Sequence, residues 1–120
     1  MLQLLAPDFI HIDERGKLVQ LCKSGYKQIN VLYNKAGIIR GEHYHKICKE
    51  AFFVVNGSVK ICLYNNNESK EYKFSNGDFF VIEPQTIHSL FFPEDCILIA
   101  LYDKAVELEC GGKDIYGVSI

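Results

Sequence analysis

Short runs of alternating apolar and polar residues, cut by turn residues at close intervals, dominate this chain. Helical periodicity is missing over any long stretch. Lys17–Cys22, Gln28–Tyr33, Ala51–Val55, Ser58–Tyr64, Lys70–Phe74, Phe79–Ile82, Ile87–Phe92 and Cys96–Tyr102 read as strands rich in Val, Ile, Phe and Tyr. Asn56-Gly57, Asn65-Asn66-Asn67, Asn76-Gly77 and Pro93-Glu94-Asp95 separate them. Asn-Gly suits the positive φ of a tight hairpin. Many short strands at even spacing predict an all-β antiparallel barrel or sandwich. The stretch after Tyr102 is more polar and reads as loop or a covering segment.

With 120 residues the chain has the length of one domain and can bury a core without staples. A net charge of −2 argues against a nucleic-acid groove or a basic membrane face, though a few local cations can still dominate a pocket. No apolar run reaches the ~18 residues of a membrane span. The first residues lack the basic and apolar regions of a signal peptide. A cytoplasmic location is therefore expected. Cys22, Cys48, Cys62, Cys96 and Cys110 are odd in number and scattered, which predicts reduced thiols.

Chemistry concentrates in two segments. Gly37–Glu50 holds His43 and His45, one residue apart, with Glu50 five positions further on. On a strand, side chains two apart share a face, so both rings would point inward. Gly77–His88 brings a third histidine. Three imidazoles and one carboxylate could move protons, or could hold a divalent metal (Zn, Fe, Mn or Ni) with positions left open for substrate. Plainer readings stand beside these. Glu50 could be a surface acid paired with Lys46 or Lys49, Tyr33 a packing residue, and Arg15 a hairpin or interface residue. His11 has no motif around it.

From Gly37 to Gly57 the residues follow Gly-x5-His-x-His-x4-Glu-x6-Gly, and Gly77–His88 has the spacing of a second motif. Together they resemble the two signature motifs of the cupins, small β-barrels of jelly-roll type, over about residues 9–103. The second motif departs from the pattern. Pro84 is shifted by one place, and Gln85 stands where a glycine is usual. The resemblance implies one cupin domain over 1–120, with a barrel core of about 9–103 and a covering segment, 104–120.

Within the cupins, Asp13-Glu14-Arg15-Gly16-Lys17-Leu18 and Arg40-Gly41-x-His43-x-His45-Lys46, with Tyr33 on the preceding strand, resemble the dTDP-sugar 3,4-ketoisomerases. The Gly-x-His-Tyr-His run followed by Glu50 is also similar to the cupin domain of capsular-sugar reductases. The first likeness implies an isomerase of bacterial polysaccharide biosynthesis that moves protons beside the ketone of a dTDP-4-keto-6-deoxyhexose and requires no cofactor. His43 is then the general base, and Tyr33 or His45 the acid. Arg40 stabilises the enediolate or a phosphate, while Arg15, Lys46 and His88 contact substrate. Ketoisomerases of this kind do not usually carry glutamate at the Glu50 position. The capsular-sugar domains do, so His43, His45, Glu50 and His88 remain a candidate metal set. The partners expected are a nucleotide sugar and a second copy of the chain, as a homodimer, with neither nucleic acid nor membrane. Two other functions fit the motifs: a metal-dependent cupin enzyme with another small substrate, or a non-catalytic sugar-binding module.

Overall fold

The computed structural model describes residues 1–117. The expected all-β jelly roll is what the chain adopts. Twelve strands form in order: β1 (Leu2–Leu4), β2 (Phe9–Asp13), β3 (Gly16–Gln20), β4 (Gln28–Asn34), β5 (Ile39–Tyr44), β6 (Glu50–Asn56), β7 (Ser58–Asn65), β8 (Glu68–Ser75), β9 (Phe79–Ile82), β10 (Ile87–Phe91), β11 (Cys96–Tyr102) and β12 (Tyr116–Gly117). One five-stranded sheet runs β1-β9-β6-β11-β4 and a second runs β12-β5-β10-β7-β8. β2 and β3 pair, among the described residues, only with each other. Among the described residues no helix is long and apolar enough to cross a membrane.

The turn residues do two different jobs. Asn65–Asn67 closes a true hairpin between β7 and β8, with Asn66 at φ 53°. Asn56-Gly57 was expected to close a hairpin, yet it carries the chain from β6 in the first sheet to β7 in the second. Gly57 has φ 101°, and a Cβ there would fall 2.3 Å from the carbonyl oxygen of Asp95. The corner needs glycine for backbone angle and for clearance alike. Asn76-Gly77 and Pro93–Asp95 make two further crossings between sheets.

The inner faces of the sheets bury Phe52, Val54, Ile61, Leu63, Phe80, Phe92 and Leu98 almost completely. Phe74 stacks on Phe80 with ring centroids 4.1 Å apart. Each such side chain contributes about 1.5–3 kcal/mol on burial. A smaller cluster on the outer face of the first sheet (Ala51, Phe53, Phe79, Val81, Leu101) is covered by Leu5, Val19, Leu21, Cys22 and Tyr26. One end of the barrel interior is less tightly filled, and the site lies there.

After Tyr102 the chain turns back over the barrel. Asp114 N–H donates to the carbonyl of Val106, and Tyr116 and Gly117 of β12 pair with Tyr44 and His43 of β5. Residues 118–120 of the covering segment lie outside the described residues.

Candidate functional site

The two sheets bring the signature residues together. His43 on β5 and His88 on β10 are direct partners across an antiparallel ladder, and Glu50 opens β6 in the facing sheet. The ladder carries a bulge here: His88 pairs with His43 and Ser89 with Gly41, leaving Glu42 unpaired. Glu42 takes φ 59° and Gly41 φ 94°. A bulge of this kind bends the strand and re-aims the next side chain, which here is His43. A Cβ on Gly41 would lie 2.7 Å from the carbonyl oxygen of His88, so only glycine allows this approach.

His45 arrives by another route. β5 ends at Tyr44, and His45 is the first residue of the loop that follows. Its ring centroid lies 5.0 Å from that of His43 and 5.4 Å from that of His88. Glu50 is buried, which rules out the surface-acid reading; Lys49 pairs with Glu83 instead, at 3.8 Å. One oxygen of Glu50, Oε1, lies 3.1 Å from Nε2 of His45 and 3.2 Å from Nε2 of His88. Nδ1 of His45 donates to the backbone carbonyl of Asp114 and Nδ1 of His88 to that of Thr86. Both Nε2 atoms are thereby turned toward Glu50.

Burial and neighbouring charges pull the ionisable groups apart. His43 is pushed down to about 4, by burial first and then by the neighbouring His88, so it is a neutral imidazole at physiological pH. Burial also opposes charge on His45, but contacts with Cys48 and Glu50 win and raise it to about 10. Burial would raise Glu50, yet the hydrogen bonds from His45 and His88 hold it well below the usual carboxylate range. Tyr102 is raised, by burial and by the charge and hydrogen bond of Glu50.

A cavity of about 330 Å³ opens beside these groups. His43, Glu50, His88 and Tyr102 form its polar wall, Leu32, Phe52, Leu90 and Leu98 its apolar wall, and Arg40 borders it. The Arg40 Nε donates to Oδ1 of Asn34, a buried side chain that also donates to the carbonyl of Cys96 at 3.1 Å.

Three of the expected site residues lie away from this cavity. Tyr33 does not face the cavity. Leu32 and Asn34 take the inward positions of β4, so strand alternation turns Tyr33 outward, where it is 73% exposed. Arg15 sits in the β2–β3 turn, bound to Asp13 at 2.6 Å, in a separate concavity with His11 and Lys17. Lys46 lies over the ring of Tyr116, 4.3 Å from its centroid, and is absent from the cavity wall. Conversely, sequence reasoning passed over Tyr102, Asn34 and Asp114. Tyr102 was legible, since it shares the inward parity of Leu98 and Ala100.

The donor set suits a divalent metal. One ligand atom from each of His43, His45, Glu50 and His88 lies within 4.8 Å of the others. Two of the rings are fixed through Nδ1 by backbone carbonyls, the support that metal-ligating imidazoles commonly have. His45, Cys48 and Asp114 also cluster. There the Asp114 carboxylate is already taken by three backbone N–H groups, so that cluster serves as a brace.

Solved structures with this architecture have known activities. A double mutant of the QdtA 3,4-ketoisomerase from Thermoanaerobacterium thermosaccharolyticum, in complex with TDP, is 27% identical, with a TM-score of 0.75 over 86% of this chain and 80% of that one. A 3,4-ketoisomerase from Helicobacter canadensis is 22% identical, with a TM-score of 0.79 over 92% and 87%. The dTDP-4-dehydrorhamnose 3,5-epimerase from Sulfolobus tokodaii is 21% identical, with a TM-score of 0.72 over 84% and 69%. No curated protein matches the chain. The model of the polysaccharide biosynthesis C-terminal domain family matches residues 11–91, which is most of the chain, and the chain belongs to that family.

Proposed function

We propose that the protein is a nucleotide-sugar isomerase that moves protons beside the ketone of a TDP-4-keto-6-deoxyhexose, in the manner of a 3,4-ketoisomerase. The observation that carries this reading is a neutral, cavity-facing His43 beside the buried Glu50–His45 ion pair, with Arg40 at the cavity border. Small-molecule pockets span about 300–1,000 Å³, so this cavity suits one sugar ring with the nucleotide outside. A relative of the same architecture is a 3,4-ketoisomerase solved with TDP-4-keto-6-deoxyglucose.

The chemistry follows from the residues. Neutral His43 takes the proton from C3, beside the C4 carbonyl. The electrons move into the carbonyl and give an enediol(ate), whose oxygens accept from the Arg40 guanidinium. The O3 hydroxyl proton passes to O4, and collapse in the other direction leaves the ketone at C3, with a proton delivered at C4. Tyr102 takes the donor role first read for Tyr33, because its phenol lines the cavity. His45 does not line the cavity. It pairs with Glu50 and helps hold that carboxylate in place. His43, His45, Glu50 and His88 would hold a divalent metal if the protein takes one, and the metal would supply a Lewis acid for the sugar oxygens.

The whole chain is read as one cupin domain that works as a homodimer in the cytoplasm. Ile29, Val31 and Tyr33 leave an exposed apolar stripe on the outer face of β4, an edge strand that a second copy would cover. All five cysteines are free, as in a reducing compartment. Incubation with TDP-4-keto-6-deoxyglucose, followed by carbon NMR, tests the activity. The carbonyl resonance should move from C4 to C3 with the wild type and stay at C4 with His43→Asn. Unchanged substrate under wild-type protein, with and without added Zn(II), rejects the reading.

A further inference from the structure

Asp114 is an acid near the end of the described chain, yet it is buried. Its carboxylate accepts three consecutive backbone N–H groups: Lys46 on Oδ1 at 2.9 Å, Ile47 on Oδ2 at 3.1 Å and Cys48 on Oδ2 at 3.0 Å. These belong to the loop that links His45 to Glu50. An acid that closes contacts across 66–68 residues of sequence is fixing that loop's shape.

The same residue reaches His45 with its main chain. A carbonyl oxygen can only accept, so the hydrogen bond from His45 to the Asp114 carbonyl places a hydrogen on Nδ1 whatever the charge of the ring. Nε2 is then the nitrogen that meets Glu50, at 3.1 Å. Pairing of Tyr116 with Tyr44 continues the attachment on the far side of Asp114. From the opposite side, Gln85 N–H donates to the His45 carbonyl at 2.7 Å, which fixes the backbone of His45 but leaves its ring free to turn. The Asp114 carbonyl is the acceptor on Nδ1, and Cys48 also contacts the ring.

We propose that Asp114 is a positioning residue for the reactive centre. Its carboxylate clamps the 46–48 loop, and the clamp keeps its own carbonyl on Nδ1 of His45, so that Nε2 stays directed at Glu50. The role rests on the reading of His43, Glu50 and His88 as the reactive centre, but the orientation of His45 can be measured without turnover.

Nitrogen NMR of histidine-labelled protein is the test, with the His45 signals assigned by their loss in His45→Asn. The wild type should show a hydrogen-bearing Nδ1 in slow exchange with water. Asp114→Ala should lose that signal to solvent exchange. Asp114→Asn should do the same, because its amide puts an N–H donor against backbone N–H groups. Lys113→Ala, at an exposed neighbour, should leave the signal intact. In the isomerase assay both Asp114 variants should lower kcat by about 10–100-fold, the usual cost of removing a supporting hydrogen bond, with KM shifted less than about threefold.

A role confined to stability would lower the melting temperature without changing the Nδ1 signal of the folded protein. That result would overturn the proposal, as would a wild-type His45 with bare Nδ1. If Asp114→Ala does not fold, Asp114→Asn carries the comparison. If the wild type turns over no nucleotide sugar while the NMR result holds, the activity reading fails and the positioning role stands.

Discussion

His43 and His88 face each other across the β5–β10 ladder, with ring centroids 4.6 Å apart and planes at 78°. Two imidazoles this close in a buried site cannot both accept charge cheaply, and burial adds to the cost for His43. The consequence is a base that stays neutral through the physiological range.

That depression fixes a pH dependence of stability in chelator-treated protein. The folded state holds His43 at about 4, against 6.5 for a free imidazole. Between those values the unfolded chain binds a proton that the folded chain does not, so His43's contribution is present above pH 6.5 and is lost as pH falls toward 4. His45 has the opposite sign: raised to about 10, it contributes fully below its ordinary value and loses that contribution as pH rises through 10. Urea melts across this range should show stability falling below pH 6.5, and His43→Asn should flatten that limb.

Glu50→Gln keeps a carbonyl acceptor but removes the charge shared by His45 and His88. His45 can shed its proton rather than stay charged and unpaired, so the cost is about 1.5–3 kcal/mol, the net worth of hydrogen bonds to a charged group. Chemical denaturation of the metal-free variant measures it. His45 should also fall from about 10 toward the ordinary imidazole range, as read from its ring-proton shifts.

Tyr102→Phe and Tyr33→Phe separate inward from outward tyrosines. Loss of a proton donor lowers kcat by about 10²–10⁴-fold, and that loss is predicted for Tyr102→Phe. Tyr33→Phe should leave kcat within about twofold, because a side chain outside the cavity makes no contact that strengthens in the transition state. Steady-state kinetics on both variants decides.

Gly41→Ala meets two obstacles, the 94° φ and the His88 carbonyl 2.7 Å from the new Cβ. The left-handed backbone alone costs about 1–3 kcal/mol. The melting temperature should drop, and His88 should shift away from His43.

Much of the barrel was legible because alternation survives wherever one strand face meets the core, as in β7, β10 and the first part of β11. β1, β2 and β12 were missed, and β5 was read as extended only around its histidines: β1 is three residues long, β12 two, and β2 is exposed along most of its length. The meeting of His43, His45, Glu50 and His88 could be read from motif spacing. The means of meeting could not, since Glu42 spoils simple alternation with a bulge and His45 lies past the strand end. Tyr33 was misplaced because likeness to a motif outweighed the parity of Leu32 and Asn34. Gln85, noted as standing in a glycine position, has φ 67°, the backbone angle that a glycine there would supply. Asp114 gave no signal, because its partners are backbone groups far away in sequence.

Deuterium wash-in tests the central claim most directly. With TDP-4-keto-6-deoxyglucose in D2O, wild-type protein should place deuterium on the carbon beside the ketone, seen as loss of the C3 proton signal. His43→Asn should leave that signal intact. A wild type that exchanges no proton next to the ketone, or a His43→Asn variant that exchanges it as fast as the wild type, would contradict the account.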